Sequence, residues 1–371
     1  MSRQGTKISE GQWNEYLVRE LPQIADLLKP YHITLSPDQP HIKGERFLMQ
    51  ALTTIGGKKL ILLGIDLKTN ERVVIKVAND TEGKHELCHE RLCRKMLNAM
   101  KFSYETFHSP QELIFIEKNN YVIYVSAYIP QSCSYLERPL EEQFTFALRA
   151  FKSQERTRAT TAKHFSQIKR VYGSRNSSNY LAMAKAFLST NVQKDAPETS
   201  IATLSRAAQH LEQHLPHIEQ YCGFLTHTDF VPHNIRIADD TLYLLDFSSL
   251  RFGNKHESWA RFLNFMTLYN PDLEQLLITY VEQNRSYEER ESLQLMRMFR
   301  LMEIITYYVT TCEKSAGDLL QLNKARIDFW RQVLEAELRN NRVDRSIVST
   351  YTNTRDALRS GAEKERQMGL H

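Results

Sequence analysis

His227-Thr228-Asp229-Phe230-Val231-Pro232-His233-Asn234, followed after a short hairpin by Leu244-Leu245-Asp246-Phe247, is the stretch that decides the fold of this 371-residue chain. Asp229 and Asn234 fall on one tight loop. Residues 234–237 and 243–246, separated by a turn at Asp239-Asp240, read as two short strands whose return brings Asp246 back beside that loop. Two carboxylates and an amide oxygen are thereby gathered at the mouth of a small sheet. Oxygen ligands of this kind suit Mg2+, which takes a few protein oxygens and shares the rest of its shell with water and phosphate. The plainer alternative is a loop whose Asp and Asn only cap turns, a common role for both residue types.

Upstream, three strand-like runs follow in close succession, 46–54, 60–67 and 72–78. Their connections, Ile55-Gly56-Gly57-Lys58-Lys59 and Thr69-Asn70-Glu71, are short enough for hairpins, and Asn70 tolerates the left-handed turn conformation. Residues 82–100 read as a helix, and 113–117 with 121–125 as a further hairpin about Asn119-Asn120. In Val73-Val74-Ile75-Lys76-Val77 the two-residue period of a strand puts Lys76 on the opposite face from Ile75 and Val77. The next helix supplies Glu86 and Glu90, which lie four apart on one face, so either can meet a lysine on the sheet. Residues 9–28 read as an amphipathic helix through Trp13, Tyr16, Leu17, Leu21, Ile24 and Leu28, which Pro22 is expected to kink or divide. The stretch 29–43, with Pro30, Pro37 and Pro40, reads as a connection. Beyond Pro130 the pattern is mainly helical, and from about Asn340 a polar, frayed or mobile tail is expected.

H-x-D-x-x-x-x-N followed by a strand ending in D-F resembles the catalytic and metal-binding signature of protein kinases. The proline ahead of Asn234, and the absence of a lysine two residues after Asp229, look more like the aminoglycoside phosphotransferase and choline kinase branch of that superfamily. The resemblance spans most of residues 46–310 and is specific at the motifs. It implies an α+β, two-lobed protein-kinase-like fold: a five-stranded antiparallel N-lobe sheet with one helix over 46–130 and a mainly helical C-lobe over 131–338. A helical extension and linker, 1–45, would precede it, and the polar tail, 339–371, would follow.

The function so implied is ATP-dependent transfer of the γ-phosphate to a hydroxyl of a small molecule. Asp229 would be catalytic, orienting the acceptor hydroxyl and accepting its proton, with Asn234 and Asp246 holding Mg2+. Lys76 would lie on the α- and β-phosphates, fixed by Glu90, whose position 14 residues on fits the family's spacing better than that of Glu86. Gly56 and Gly57 would form the turn over the phosphates, and Ala127 and Tyr128 the hinge that pairs with adenine through backbone groups. His227 would support the loop. Three departures bear on loop rigidity and rate: Thr228 stands where the small-molecule kinases have Gly, Ser248 stands in place of the Gly of DFG, and Ser258 stands where an Asp braces the catalytic loop. A protein-kinase-like enzyme is disfavoured by the missing DFG and APE; a nucleotide-binding pseudokinase is the remaining alternative.

Bulk properties agree with a soluble enzyme. The chain is 42% hydrophobic and 25% charged, and its net charge of +4 does not by itself imply nucleic acid. The start of the sequence lacks the apolar core of a signal peptide, no run is long enough to span a membrane, and five cysteines without CxxC spacing suit idle thiols, so a cytoplasmic setting is expected. Residues 156–194 contain no Asp or Glu before Asp195 and carry Arg156, Arg158, Lys163, Lys169, Arg170, Arg175, Lys185 and Lys194. This segment is a candidate attractor of an anionic acceptor, a partner or RNA; a solvated helical face balanced by acids elsewhere is the more ordinary account. His210, His214 and His217 lack an evident third metal ligand, and a polar helix face is expected there.

Overall fold

Alternation along one strand sets up the first layer of the molecule. In the computed structural model, which describes residues 10–42, 59–99, 108–158 and 162–368, Val73, Ile75 and Val77 are buried while the residues between them are not. That strand, β3 (Glu71–Ala78), lies inside a five-stranded sheet with β1 (Ile33–Leu35), β2 (Lys59–Asp66), β4 (Glu112–Lys118) and β5 (Tyr121–Ala127). The order is β1-β2-β3-β5-β4, and every neighbouring pair is antiparallel. Asn70 (φ 59°) closes β2 to β3, and Asn119 and Asn120 (φ 51° and 68°) close β4 to β5, the left-handed conformations that tight hairpins demand. Helix α2 (Thr81–Ala99) follows β3.

The strand expected at 46–54 and the Gly56-Gly57 turn lie outside the described residues. The fifth strand in the sheet is Ile33–Leu35, inside the supposed connection: Leu67 donates its N–H to His32 O at 2.7 Å, and Ile33 is buried. Three residues are too few to show a period. Helix α1 (Glu10–Leu28) runs undivided through Pro22. Its Ile24 and Leu28 have no exposed surface and pack into one cluster with Leu62, Ile75, Ile123 and Val125 of the sheet. Burial on this scale, at about 25 cal/mol per Å2, outweighs one missing helical hydrogen bond. Glu20 of α1 also accepts bonds from the Tyr121 hydroxyl and, at 2.7 Å, from Asn79 Nδ2. Residues 10–42 thus belong to the core of this unit and are no mere extension.

The chain divides into two compact units, one of residues 1–92, 109–131 and 360–371, the other of 93–108 and 132–359. The second unit is helical around two small ladders. Helix α3 (Leu140–Glu155), α4 (Ala162–Tyr172), α5 (Ser177–Gln193), α6 (Glu198–Gln213) and α7 (Leu215–Gln220) precede β6 (Phe224–His227), β7 (Ile235–Ala238), β8 (Thr241–Leu244) and β9 (Leu250–Gly253). After them come α8 (His256–Tyr269), α9 (Pro271–Asn284), α10 (Tyr287–Cys312), α11 (Gly317–Leu338), α12 (Arg345–Leu358) and α13 (Gly361–Met368), the last belonging to the first unit. Helix α10 is buried on most sides between Glu291 and Val309, as a central core helix must be. The expected frayed tail is instead helical, because Val348 and Tyr351 are buried and the Tyr351 ring stacks on Phe329 at 4.4 Å. Two apolar residues three apart make a stripe too thin to stand out in a polar sequence. All five cysteines are free thiols, and no helix among the described residues is long and apolar enough to cross a membrane.

Candidate active site

The two small ladders carry the site. Strand β6 pairs with β9, from Phe224 opposite Gly253 to His227 opposite Leu250, and β7 pairs with β8 through a two-residue turn at Asp239 and Asp240 (φ 47° and 58°). Residues 228–234 and 245–249 connect one ladder to the other. They are stitched together at both ends: Thr228 N donates to Ser249 O at 2.9 Å, and Leu245 N donates to Asn234 O at 2.8 Å. Backbone pairing therefore brings Asp229, Asn234 and Asp246 onto two facing loop segments, as the spacing of the sequence predicts.

Within this frame each polar group has a defined partner. Asn234 Nδ2 donates to the Asp229 backbone oxygen at 2.8 Å and to Asp229 Oδ2 at 3.0 Å. Its amide NH2 is thereby committed, and the amide oxygen is the atom left for a cation. The carboxylate of Asp246 accepts from the Ser248 hydroxyl at 2.6 Å on one oxygen and from the Ser249 hydroxyl at 2.8 Å on the other. Asp246 itself sits at φ 55° and ψ 59°, a left-handed conformation that Asp tolerates and that recurs where side chains are aimed for function. His227, fully buried, directs Nε2 at the carbonyl oxygens of Leu245 and Asp246, both at 3.0 Å, and so carries its proton there.

Asp229 has a second partner, one outside the sequence motif. Arg261 on α8 places Nε at 3.0 Å and Nη2 at 2.9 Å from Oδ1. Burial tends to raise the Asp229 carboxyl, but the Arg261 charge and its hydrogen bonds, with His227 and Arg300 adding, hold it down at about 2. Asp229 is thus an anion at any physiological pH. Arg261 lies three residues after Ser258, on the same helical face, and that spacing was the available signal for it.

The departures from the family pattern turn out to be accommodated. Ser258 Oγ accepts from His227 N at 2.8 Å and from Gln154 Nε2 at 2.8 Å, donates to His227 O at 3.0 Å, and lies 2.6 Å from Thr226 Oγ1. A serine therefore braces the loop from both sides of one residue. Thr228 is not among the positive-φ residues, so its position needs no glycine, and its hydroxyl donates to Ser249 O at 3.0 Å. Arg300 adds a further strut, donating from Nη2 to Thr228 O at 2.6 Å.

In the first unit, Lys76 Nζ meets both oxygens of Glu90, at 2.7 and 2.8 Å. Glu86 pairs instead with Lys59. The ambiguity between the two glutamates is resolved because Lys59 and Lys76 occupy different strands under one helix face. At the expected hinge, Ala127 N donates to Gln111 O at 2.9 Å and Tyr128 N to Arg72 O at 3.2 Å, so the N–H groups of both are spent within the sheet. Adenine recognition through those two amides is not supported as they stand. Gly56 and Gly57 lie outside the described residues.

The donor set fits a hard divalent cation. Among the described residues no three His, Cys, Asp or Glu side chains group to hold a metal, so a cation here would rest on the Asp246 carboxylate, the Asn234 amide oxygen and oxygens brought by a bound phosphate. The histidine cluster forms a brace: His214 and His217 both face Glu291, at 3.2 and 2.5 Å. In the basic segment, Lys185, Lys194 and Arg175 pair with Glu212, Glu313 and Glu257, which favours the balanced-surface account for those three.

The sequence matches no protein-family model and no curated protein. Solved structures do match. A thermostable mutant of aminoglycoside phosphotransferase APH(4)-Ia, in ternary complex with ADP and hygromycin B, superposes at a TM-score of 0.58 over 85% of this chain and 97% of its own, at 13% identity. A macrolide 2'-phosphotransferase type I gives 0.53, covering 87% and 99%, at 13% identity. The macrolide 2'-phosphotransferase MphH from Brachybacterium faecium gives 0.51, covering 84% and 98%, at 12% identity. At this identity the likeness is one of fold, and it agrees with the five-stranded antiparallel sheet and helical second unit described above: the chain has the protein-kinase-like fold of the aminoglycoside and macrolide phosphotransferases.

Proposed function

We propose that this chain is an ATP-dependent phosphotransferase that moves the γ-phosphoryl group to a hydroxyl of a small molecule. The observation that carries it is the joint placement of Asp229, Asn234 and Asp246 by two backbone ladders, with the Asn234 NH2 committed to Asp229. The neighbours add support: one is bound to ADP and hygromycin B, and another is an amicoumacin kinase with AMP-PNP and Ca2+, at a TM-score of 0.51.

In this reading Asp229 accepts a hydrogen bond from the acceptor hydroxyl and aligns its oxygen for in-line attack. A carboxylate held at about 2 is a weak base, so it takes the proton late, when bonding to phosphorus has made the hydroxyl acidic. Asn234 and Asp246 would hold Mg2+, which would neutralise phosphate charge. Lys76, fixed by Glu90, binds the α- and β-phosphates. Ser258, His227 and Arg300 keep the loop rigid.

Acceptor-stimulated ADP release across a panel of hydroxyl-bearing metabolites tests the activity. Asp229→Ala should abolish turnover while nucleotide still binds; Asp246→Ala should weaken binding of the Mg2+-nucleotide itself. Nucleotide binding without turnover, unchanged in Asp229→Ala, would establish a pseudokinase, and labelling of mixed proteins rather than metabolites would establish a protein kinase.

A further inference from the structure

Arg261 approaches Asp229 side-on, with Nε and Nη2 on the single oxygen Oδ1. That geometry spends one edge of the guanidinium. The other edge, between Nη1 and Nη2, makes no bond to any described residue, and the side chain keeps 21% of its surface exposed. On the carboxylate, Oδ1 has taken two N–H groups while Oδ2 has taken only the Asn234 amide, so Oδ2 retains a lone pair for an acceptor hydroxyl. The Nη2 that shares this open edge lies 2.9 Å from Oδ1 of the same carboxylate on which a hydroxyl at Oδ2 would sit. An ammonium group on the acceptor would find Asp229 already paired to the Arg261 guanidinium.

We propose that Arg261 determines acceptor specificity: its free Nη1–Nη2 edge receives a carboxylate or phosphate carried by the acceptor close to the hydroxyl that is phosphorylated, and it disfavours polyamine acceptors. Guanidinium binds both anions bidentately through two parallel N–H donors, and a planar fork selects them over neutral groups. This rests on the phosphotransferase reading of Asp229 and names its substrate class. The reaction is unchanged: the acceptor oxygen bonds to the γ-phosphorus, the bond to the β-bridging oxygen breaks, ADP leaves, and the hydroxyl proton passes through Asp229.

The test uses the full chain with Mg2+-ATP and matched acceptors of one carbon skeleton: glycerate and glycerol 3-phosphate as anions, glycerol as neutral, 3-amino-1,2-propanediol as cation. The expected result is acceptor-stimulated ADP release with kcat/KM at least about tenfold higher for an anionic member than for the neutral one, and lowest for the amine. Arg261→Gln should erase that preference, bringing kcat/KM for the anionic and neutral members level even where every rate falls, and Arg261→Lys should restore part of it. In parallel, the Arg261 Nε–H resonance in 15N-labelled protein should shift with glycerate or glycerol 3-phosphate and not with the amine. Preference for the neutral or amine acceptor, or a preference for anions that survives Arg261→Gln, overturns the proposal. A uniform loss in Arg261→Gln across all acceptors and hydrolysis alike also overturns it, and assigns the edge to the transferred phosphoryl group instead. Failure of the underlying reading is distinguishable, because the wild-type chain would then release no ADP with or without an acceptor, whether or not it binds nucleotide.

Discussion

Ser258 carries, with one hydroxyl, the bracing that an acidic residue supplies in the family this chain resembles. Its oxygen bonds the N–H and the carbonyl of His227, so the backbone immediately before Asp229 is fixed at both of its polar groups. Ser258→Ala leaves these groups and Gln154 Nε2 buried without that partner. The expected loss is about 1–3 kcal/mol in denaturant unfolding, together with a lower kcat and an unchanged nucleotide affinity. Ionisation at Asp229 follows the same local logic. A carboxyl held below its unfolded value lends stability that is present at neutral pH and is lost only as pH falls through about 2. The acid limb of a wild-type rate profile above pH 4 should therefore belong to other groups, whereas in Arg261→Gln, where the paired charge is gone, the Asp229 carboxyl itself should titrate higher.

At the scale of elements, helices α5, α8 and α10 are tied together by one buried charge. Glu257, with no exposed surface, accepts from Arg175 at 2.7 Å and from the Tyr180 hydroxyl at 2.6 Å. A Cβ added at Gly253 would fall 2.4 Å from that same Tyr180 hydroxyl, which no real contact allows. Gly253→Ala should consequently displace Tyr180 and lower stability by about 1–3 kcal/mol, read by thermal unfolding. A second network joins α9, α10 and α11: Arg297 bonds Glu274 at 2.5 Å and Glu337 at 2.7 Å. Burial outweighs the Arg297 charge, and with Glu274 adding like charge it raises the Glu337 carboxyl to about 7. An acid raised on folding stabilises most below its unfolded value, and that stability is lost as pH rises through about 7. Glu337→Gln should remove this slope, so that the variant gains on the wild type between about pH 5 and 8, by no more than about 3 kcal/mol. Unfolding midpoints across that range measure it.

At the scale of the whole molecule, two separate apolar clusters organise two units, one around the five-stranded sheet and one around α10. Each unit presents its own part of the proposed machinery, Lys76 with Glu90 in the first and the Asp229 loop in the second. A ligand that binds only the folded state stabilises it by mass action, by about 2.7 kcal/mol at a hundred times its dissociation constant. Mg2+ with a non-hydrolysable ATP analogue should accordingly raise the unfolding temperature of the wild type, and Lys76→Met or Asp246→Ala should blunt the rise.

Most of the site was legible in the sequence because its spacing is local. Asp229, Asn234 and Asp246 are joined by a loop and a hairpin whose turn residues, Asp239 and Asp240, take the left-handed conformations that their chemistry suggests. The alternation around Lys76 was legible for the same reason. Contacts between residues far apart in the chain carry no such period. That Glu90 and not Glu86 meets Lys76, that Arg261 forks onto Asp229, that α1 and Ile33–Leu35 build the first unit, and that Val348 and Tyr351 fold the tail were each settled by which surfaces packing brought together. Local geometry is encoded residue by residue; long-range partnership exists only once burial has selected one arrangement from many.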